Sequence, residues 1–248
     1  GANRGIGAAI ARALSAAGAS VSLLVRDAAR GEAVGASLPG PYTVVVADVT
    51  NREALIGACV AAAAALGPID ILVNNAGLQQ DAAFHEMTLA QWNKVMNVNL
   101  TGMFLCSRRA VREMMKRGVH GTSPAAGKII CMSSVHEVIP WAGHVNYAAS
   151  KGGVKLFMQS LSQEVAPLKI RVNSIGPGAI ATPINRPAWE TPEALEKLLE
   201  LIPYGRVGQP ADIGKAAVWL ASDDSDYVNG QTIFVCGGMT LYPEFADG

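Results

Sequence analysis

Short apolar runs alternate with helical patterns along the whole chain, and this alternation limits the possible folds more than any other feature. The runs are rich in Val, Ile or Leu, and most of them end at Gly, Asn or Asp, as buried strands do. Strands joined through helices pair in parallel, and their helices cover both faces of the sheet. The sequence therefore predicts an α/β fold, a doubly wound parallel sheet flanked by helices. The predicted strands cover residues 20–25, 44–48, 69–73, 129–132, 170–175 and 232–236.

Helical patterns fill the intervals between these strands. No repeat or linker interrupts the alternation, so a single domain is predicted over residues 1–248. Residues 179–208 are irregular around one amphipathic helix, and this segment is long enough to form a lid over a substrate. The predicted helices cover residues 8–17, 51–66, 88–117, 146–166, 192–201 and 211–220.

The composition excludes several classes of protein. Hydrophobic residues make up 50% of the chain, charged residues make up 16%, and the formal net charge is zero, which is typical of a globular domain. Lys and Arg are scattered, so no nucleic-acid partner is expected. The longest apolar run, near residues 59–66, is too short to cross a bilayer, so no membrane partner is expected.

The cysteines and histidines predict neither disulfides nor a metal site. The cysteines are far apart among mostly apolar neighbours, which indicates free thiols in a reducing compartment, and we expect a cytoplasmic protein. The histidines lack the spacing of metal ligands. These residues are Cys59, Cys106, Cys131, Cys236, His85, His120, His136 and His144.

Ser134, Tyr147 and Lys151 form the first candidate for chemistry. Tyr147 and Lys151 are four residues apart at the start of a predicted helix, so their side chains share one face. A nearby ammonium favours phenolate and lowers a tyrosine pKa, which suits proton transfer near neutral pH. Ser134, at the end of a strand, can supply a second hydrogen bond to the same substrate oxygen. Taken alone, a Tyr–Lys pair at this spacing is more often a solvated helix contact.

A glycine turn begins the chain. Gly1, Gly5 and Gly7 run into an Ala-rich helix, and such a turn lets a pyrophosphate approach backbone N–H groups. A strand should precede this turn, and none is present. Either the motif is accidental, or the folded protein has about ten to fifteen further residues ahead of Gly1, enough for one strand.

The ends of the next two strands carry charged residues that could read an adenosine ribose. Arg26 could bind a 2′-phosphate, with Arg4 as a second candidate, or Arg26 could simply be solvated. Asp27 could accept from a 2′-hydroxyl instead. Asp48 could contact the adenine or only cap the following turn. Asn99 lies inside a predicted helix, where it either marks a functional kink or faces solvent.

Several motifs occur together in one order, and together they resemble the short-chain dehydrogenase/reductase family. They are the glycine turn, Asn74-Asn75-Ala76-Gly77, Asn99, Ser134, Tyr147-x-x-x-Lys151 and Gly176-Pro177-Gly178. The resemblance covers essentially the whole chain and implies a Rossmann-like fold.

The resemblance also implies roles for individual residues. Ser134 would orient the carbonyl, and Tyr147 would be the acid and base. Lys151 would lower the Tyr147 pKa and hold the nicotinamide ribose. Asn99 would anchor a water that leads the proton to solvent.

The implied cofactor is NADP(H) by preference, with NAD(H) possible. Asn75 and Gly77 would flank the adenosine side, and Thr182 would contact the carboxamide. The expected cofactor-binding residues are Gly1, Asn3, Arg4, Gly5, Ile6, Gly7, Arg26, Asp48, Val49, Asn75, Ala76, Gly77, Tyr147, Lys151, Pro177, Gly178, Ile180 and Thr182.

Within that family, residues 133–141, 146–153 and 237–243 are similar to bacterial glucose 1-dehydrogenases. This similarity implies that His136, Trp141 and Asn146 contact the substrate. Gln79, Asn146 and Cys236 depart from that pattern, where Glu, His and Asp are usual, and they put the sugar substrate in doubt.

The predicted function is an NADP(H)-dependent oxidoreductase that interconverts a carbonyl with a secondary alcohol or a sugar lactol, a small-molecule partner. A ketone or imine reductase with a non-sugar substrate is the alternative. A non-catalytic NADP(H) sensor would be expected to have lost Tyr147 or Lys151. A serine hydrolase is disfavoured because no Gly-x-Ser-x-Gly elbow exists. Helices near 102–117 and 152–166 have apolar residues on more than one face, which predicts a homotetramer.

Overall fold

The structure is a computed structural model that describes residues 1–241. Parallel strands form its centre. Residues 242–248 of the predicted 1–248 domain lie outside the described residues. They include Tyr242 and Pro243, which are part of the similarity to glucose 1-dehydrogenases.

Within residues 1–241, the strands pair only in parallel and form two sheets. The first sheet pairs β1 with β2, and the second has the order β3-β4-β5-β6. The predicted α/β fold with a parallel sheet is therefore confirmed. The strands are β1 (Val21–Val25), β2 (Tyr42–Val46), β3 (Ile71–Asn74), β4 (Gly127–Met132), β5 (Ile170–Pro177) and β6 (Thr232–Val235).

The helices other than α2 lie close to their predicted positions. None of those in the described part of the chain is both long and apolar enough to cross a bilayer. They are α1 (Gly5–Ala16), α2 (Ala28–Gly35), α3 (Arg52–Leu66), α4 (Leu89–Met96), α5 (Gly102–Arg117), α6 (Val145–Val165), α7 (Pro192–Leu199) and α8 (Pro210–Ala221).

Strands β4 and β5 form the core because helices cover both of their faces. Every residue of these two strands is buried. Met114 of α5 and Met158 of α6 pack on one face, and Ile10 of α1 and Ile213 of α8 pack on the other. Continuous apolar strands such as Ile129–Met132 are typical of a sheet that is buried on both sides. The predicted double winding follows from this packing.

Strands β1 and β3 border a cavity of about 540 Å³. Residues 21–24 line one side and residues 71–75 line the other. Gly1 and Gly7 of the glycine turn also line this cavity, which lies next to the cleft described below.

Two local features differ from the sequence prediction. Helix α2 was not predicted because it lacks a clear apolar period. Its N-terminus is capped instead by Asp27, whose carboxylate accepts from the Arg30 N–H. The helix predicted over 88–117 is interrupted by a π-helical turn at Asn97–Thr101, and this turn is the kink that Asn99 suggested.

Candidate active site

Ser134 lies where β4 ends, in extended backbone that leads into a single 3₁₀ turn at Val135–Glu137. Its Oγ accepts from the His136 N–H at 3.2 Å, and its hydroxyl proton can be donated to the Tyr147 phenol or to a substrate oxygen. Ser134 is buried and lines a cleft that it shares with Tyr147 and Lys151. The structure therefore brings the three predicted catalytic residues together.

The first two turns of α6 present Tyr147 and Lys151. The Lys151 ammonium lies 5.5 Å from the centroid of the Tyr147 ring and donates to the Met132 carbonyl at 2.8 Å. Burial lowers the pKa of Lys151 to about 8. The ammonium is thus fixed between the end of β4 and the phenol.

The pKa of Tyr147 is raised, whereas the Tyr–Lys spacing alone predicts a lowered value. Burial is the largest cause of the increase, and the charge of Asp81 adds to it. Hydrogen bonds from Ser134 and Gln79 act in the opposite direction and lower the pKa. Desolvation therefore disfavours the phenolate, and the hydrogen bonds from Ser134 and Gln79 offset part of the resulting rise in the Tyr147 pKa.

Asn99 is buried in the π-helical turn, and its side chain joins the loop at Leu78 to helix α6. Its Oδ1 accepts from the Leu78 N–H at 2.9 Å, and its Nδ2 donates to the Leu78 carbonyl and to the Ser150 hydroxyl. Ser150 in turn donates to the Tyr147 carbonyl at 2.7 Å. A π-helical turn often lies at a functional site because it redirects one side chain. Here the turn points the Asn99 side chain toward Ser150 of α6, the helix that carries Tyr147 and Lys151.

Asn146, a predicted substrate contact, is completely buried and lies outside the lining of the cleft. Its Oδ1 accepts from the Tyr147 N–H at 2.8 Å, and its Nδ2 donates to the Gln80 carbonyl at 2.9 Å. Both polar groups are therefore committed within the protein. Asn146 joins the start of α6 to the loop that carries Gln79 and Asp81.

His136 and Trp141 lie beside Tyr147, each with its ring centroid 6.2 Å from the phenol ring. Trp141 is stacked between His136, at 4.2 Å, and His144, at 3.5 Å. Asp81 contacts His144 at 3.2 Å. Burial lowers the pKa of His136, which favours its neutral form. An aromatic wall thus stands next to the candidate acid and base, although the lining of the cleft does not include His136 or Trp141.

The glycine turn has the geometry of an anion site. Gly5 has a φ of +51°, and Arg4 at the N-cap of α1 makes no side-chain cap, so the first N–H groups of the helix are unused by a cap. A Cβ on Gly7 would collide with the Gly1 carbonyl oxygen and approach Asn75 Nδ2 at 2.5 Å. Asn75 Nδ2 donates to that same carbonyl at 2.8 Å, so Asn75 fixes the shape of the turn.

One cleft of about 230 Å³ runs from the glycine turn to Tyr147 and Lys151. The residues fit a nicotinamide dinucleotide because the anion cradle and the candidate acid and base line the same space. The predicted cofactor residues on the cleft are Gly1, Asn3, Arg4, Gly5, Ile6, Gly7, Asn75, Gly77, Tyr147, Lys151, Pro177, Gly178, Ile180 and Thr182. Arg26, Asp48, Val49 and Ala76 lie outside its lining.

The acidic residues near the strand ends are engaged within the protein. Asp48 accepts from the N–H and the hydroxyl of Thr50, and these bonds, with a smaller effect of Arg26, lower its pKa. Asp27 caps α2 and pairs with Arg30 at 3.3 Å. Arg26 is exposed and contacts Asp48 only at 3.8 Å. The Arg26 guanidinium is thus less constrained than the carboxylates of Asp27 and Asp48 at this edge of the sheet.

The two ends of the lid segment 179–208 pair with each other, because Ile180 and Gly208 form an isolated parallel bridge. The Tyr204 N–H joins the segment to the Gly237 carbonyl of the body at 3.0 Å. Helix α7 is two residues shorter than predicted. Thr182 and Asn185 both line the cleft from this segment. Among residues 1–241, no three His, Cys, Asp or Glu side chains are grouped as metal ligands would be.

Sequence reasoning missed several residues near this site, namely Arg30, Asp81, His144, Asn185 and Trp189. A signal existed for Asn185, because Asn three residues after Thr182 is within reach of a local side-chain turn. For Asp81 and His144 no local signal existed, since 63 positions separate them.

Known proteins resemble this chain along nearly its whole length. A family model described as enoyl-(acyl carrier protein) reductase matches residues 1–240. 3β-Hydroxysteroid dehydrogenase 1 of Eggerthella lenta is 43% identical over 100% of this chain and 94% of its own length. Glucose 1-dehydrogenase of Gluconobacter oxydans is 37% identical over 99% of this chain and 91% of its own.

A solved structure agrees in fold as well as in sequence. Gluconate 5-dehydrogenase from Burkholderia cenocepacia, crystallised with NADP and tartrate, superposes with a TM-score of 0.88 at 34% identity. The match covers 98% of this chain and 93% of that chain. The resemblance drawn from the motifs is therefore confirmed: this chain belongs to the short-chain dehydrogenase/reductase family and is an oxidoreductase of the class that interconverts alcohols and carbonyls.

Proposed function

We propose that this enzyme interconverts a ring-borne secondary alcohol and its ketone, with NADP(H) preferred over NAD(H). The observation that carries the proposal is that Ser134, Tyr147 and Lys151 share one cleft with the glycine turn. In this proposal the turn holds the diphosphate, Lys151 holds the nicotinamide ribose, and Thr182 contacts the carboxamide. When bound, NADP(H) would supply the hydride acceptor for the carbinol carbon or the hydride donor for the carbonyl carbon.

The protein side of the reaction is proton transfer. In the oxidation direction, the Tyr147 phenolate takes the hydroxyl proton of the substrate while Ser134 donates a hydrogen bond to the same oxygen. In the reduction direction, the Tyr147 phenol returns that proton to the developing alkoxide. Lys151 stabilises the phenolate electrostatically, and Asn99 holds the loop and helix between which the proton leaves for solvent.

The preference for NADP(H) rests on how the charged residues are used. Asp27, the acid that could read a ribose hydroxyl, is occupied by the N-terminus of α2 and by Arg30. Arg26 and Arg4 are exposed, and a guanidinium can bind a 2′-phosphate with two charge-assisted hydrogen bonds. The neighbour solved with NADP supports the same preference.

The proposed substrate class follows from the apolar lining near the catalytic residues. Leu78, Met132, Ile180 and Ile184 line the cleft, and the edge of Trp141 stands beside Tyr147. Such a surface suits a fused or cyclic hydrocarbon better than a hydroxyl-rich ring, since each sugar hydroxyl needs a polar partner. The relative named as a hydroxysteroid dehydrogenase supports this class. A sugar lactol is the second candidate, supported by the relative named as a glucose 1-dehydrogenase.

A substrate panel tests the proposal. Steroid alcohols, cyclohexanols and glucose are each offered with NADP⁺ and with NAD⁺, and cofactor reduction is followed by absorbance. We expect the highest kcat/KM with a cyclic apolar alcohol and NADP⁺. Glucose turnover exceeding that of every apolar alcohol would replace the proposed substrate with the lactol, and no turnover in either direction would contradict the proposed function.

We also propose a homotetramer built through α5 and α6. Phe104 and Met115 on α5 and Leu156 on α6 are exposed by 44%, 53% and 64%, although they are large and apolar. Light scattering at micromolar concentration should give four times the mass of one chain, and a monomer would contradict this assembly.

A reducing, cytoplasmic location is proposed as well. All four cysteines are free thiols, and burial raises the pKa of Cys106 and of Cys131 to about 12, which makes these two thiols unreactive. Cell fractionation tests the location.

A further inference from the structure

Three hydrogen-bond donors converge on one oxygen in the lid. The Thr182 hydroxyl, the Thr182 N–H and the Trp189 indole N–H approach Asn185 Oδ1 at 2.8, 3.1 and 3.3 Å. The backbone N–H and the indole N–H can only donate, so the atom that they face must be the carbonyl oxygen of the amide rather than its nitrogen.

This arrangement fixes the direction of the Thr182 hydroxyl. A hydroxyl has one proton, and here that proton is given to Asn185 Oδ1, because a carbonyl oxygen can only accept. The remaining lone pairs of Thr182 Oγ1 can therefore only accept a hydrogen bond from a ligand. Thr182 lies directly over the glycine turn, since its Cγ2 would be 3.5 Å from a Cβ on Gly5.

We propose that Asn185 is a positioning residue that makes Thr182 a dedicated acceptor for the amino group of the nicotinamide carboxamide. The inference rests on the proposed function, in which Thr182 meets that carboxamide. Asn185 would act through Thr182 and need not touch the cofactor. The consequence is a defined orientation of the nicotinamide ring, because the amino and carbonyl ends of the carboxamide are not interchangeable at a one-way acceptor.

The test compares NADP⁺ with its 3-acetylpyridine analogue, in which a methyl group replaces the amino group of the carboxamide. Dissociation constants are measured by titration calorimetry without substrate, so the readout does not depend on turnover. A hydrogen bond of ordinary net strength corresponds to roughly threefold to tenfold in Kd. We expect the unaltered enzyme to bind NADP⁺ tighter than the analogue by about this factor.

Three variants locate the source of that discrimination. Asn185→Ala frees the Thr182 hydroxyl to rotate and should lose most of the discrimination, as should Thr182→Val. Trp189→Phe is the matched control, because it removes the third donor but leaves the pair of contacts between Thr182 and Asn185. It should keep the discrimination.

A double-mutant cycle separates positioning from direct contact. If Asn185 acts through Thr182, adding Asn185→Ala to Thr182→Val should not weaken NADP⁺ binding further. A further loss would mean that Asn185 contacts the cofactor itself, and it would overturn the proposal. Discrimination retained by Asn185→Ala alone would overturn it too. If the unaltered enzyme binds neither compound, the cofactor assignment of the proposed function fails instead.

Discussion

Two regions face the same cleft but are held in different ways. We call Ser134, Tyr147 and Lys151 the catalytic wall, and residues 179–208 are the lid. Ser134 is only 6% exposed and follows the fully buried strand β4, and Lys151 is only 5% exposed and faces the same strand. In the lid, Ile184, Leu201 and Tyr204 are exposed by 54%, 53% and 72%. The bridge between Ile180 and Gly208 joins the two ends of the lid to each other, and the Tyr204 N–H links the lid to the Gly237 carbonyl of the body.

This difference separates chemistry from recognition. Groups that transfer a proton must be held within a fraction of an ångström, and buried strands and helices provide such support. Segments with few buried contacts open at lower free energy and tolerate more sequence change. We therefore expect substitutions in the catalytic wall to change kcat strongly, and equivalent substitutions in the lid to change it little.

The largest expected contrast uses one change, Tyr to Phe, in each region. Tyr147→Phe removes the proton donor and should lower kcat by about 10²–10⁴-fold, while the Kd for NADPH changes less than about twofold. Tyr204→Phe, the lid control, removes an exposed hydroxyl and should leave kcat unchanged. Steady-state kinetics and a fluorescence titration measure both effects. Retention of more than about a tenth of the activity by Tyr147→Phe would contradict the assigned role.

A second contrast uses lysine. Lys151→Ala removes a buried ammonium that donates to the Met132 carbonyl and lies beside the phenol, and it should weaken both turnover and cofactor binding by about tenfold to a hundredfold. Lys197→Ala, on α7 of the lid, should change neither. Equal kcat for the unaltered enzyme and Lys151→Ala would show that the ammonium does not assist Tyr147.

The catalytic wall could be predicted because its geometry is local. Helical periodicity places Tyr147 and Lys151 on one face, and the end of a buried strand places Ser134 nearby. The parallel sheet was predictable for a similar reason, since apolar runs and helical intervals are visible without any tertiary contact. Helix α2 was missed because a cap at Asp27, rather than an apolar period, defines it.

The surroundings of the wall depend on distant contacts that no local pattern shows. The resemblance predicts that Asn146 contacts the substrate, whereas in the structure its Nδ2 donates to the carbonyl of Gln80, 66 positions earlier in the chain. The raised pKa of Tyr147 likewise depends on burial and on Asp81, neither of which follows from the Tyr–Lys spacing. The sequence therefore predicted which side chains come together, whereas their surroundings required the fold.

Cofactor preference provides a smaller contrast, at the edge of the sheet. Arg26→Ala should raise the Kd for NADP⁺ by about tenfold and leave that for NAD⁺ unchanged, since only the former has a 2′-phosphate. Arg186→Ala, which removes an exposed lid guanidinium that pairs with Glu190, is the control and should alter neither constant. Equal or tighter binding of NAD⁺ by the unaltered enzyme would mean that Arg26 faces solvent.

The smallest expected effect tests how the neighbours tune the wall. Alcohol oxidation needs the Tyr147 phenolate, so kcat/KM should rise with pH through the pKa of this residue. The Ser134 hydroxyl lowers that pKa by hydrogen bonding, and Ser134→Ala should therefore move the midpoint to higher pH. The Asp81 carboxylate raises the pKa, so Asp81→Asn should move the midpoint to lower pH. Both neighbours modify a pKa whose largest determinant is burial. Asp223→Asn, at the far side of the protein where Asp223 pairs with Lys128, is the charge control and should leave the profile in place. Midpoints that move in the same direction for Ser134→Ala and Asp81→Asn would show that the profile reports another group, because these two changes act on the phenolate with opposite sign.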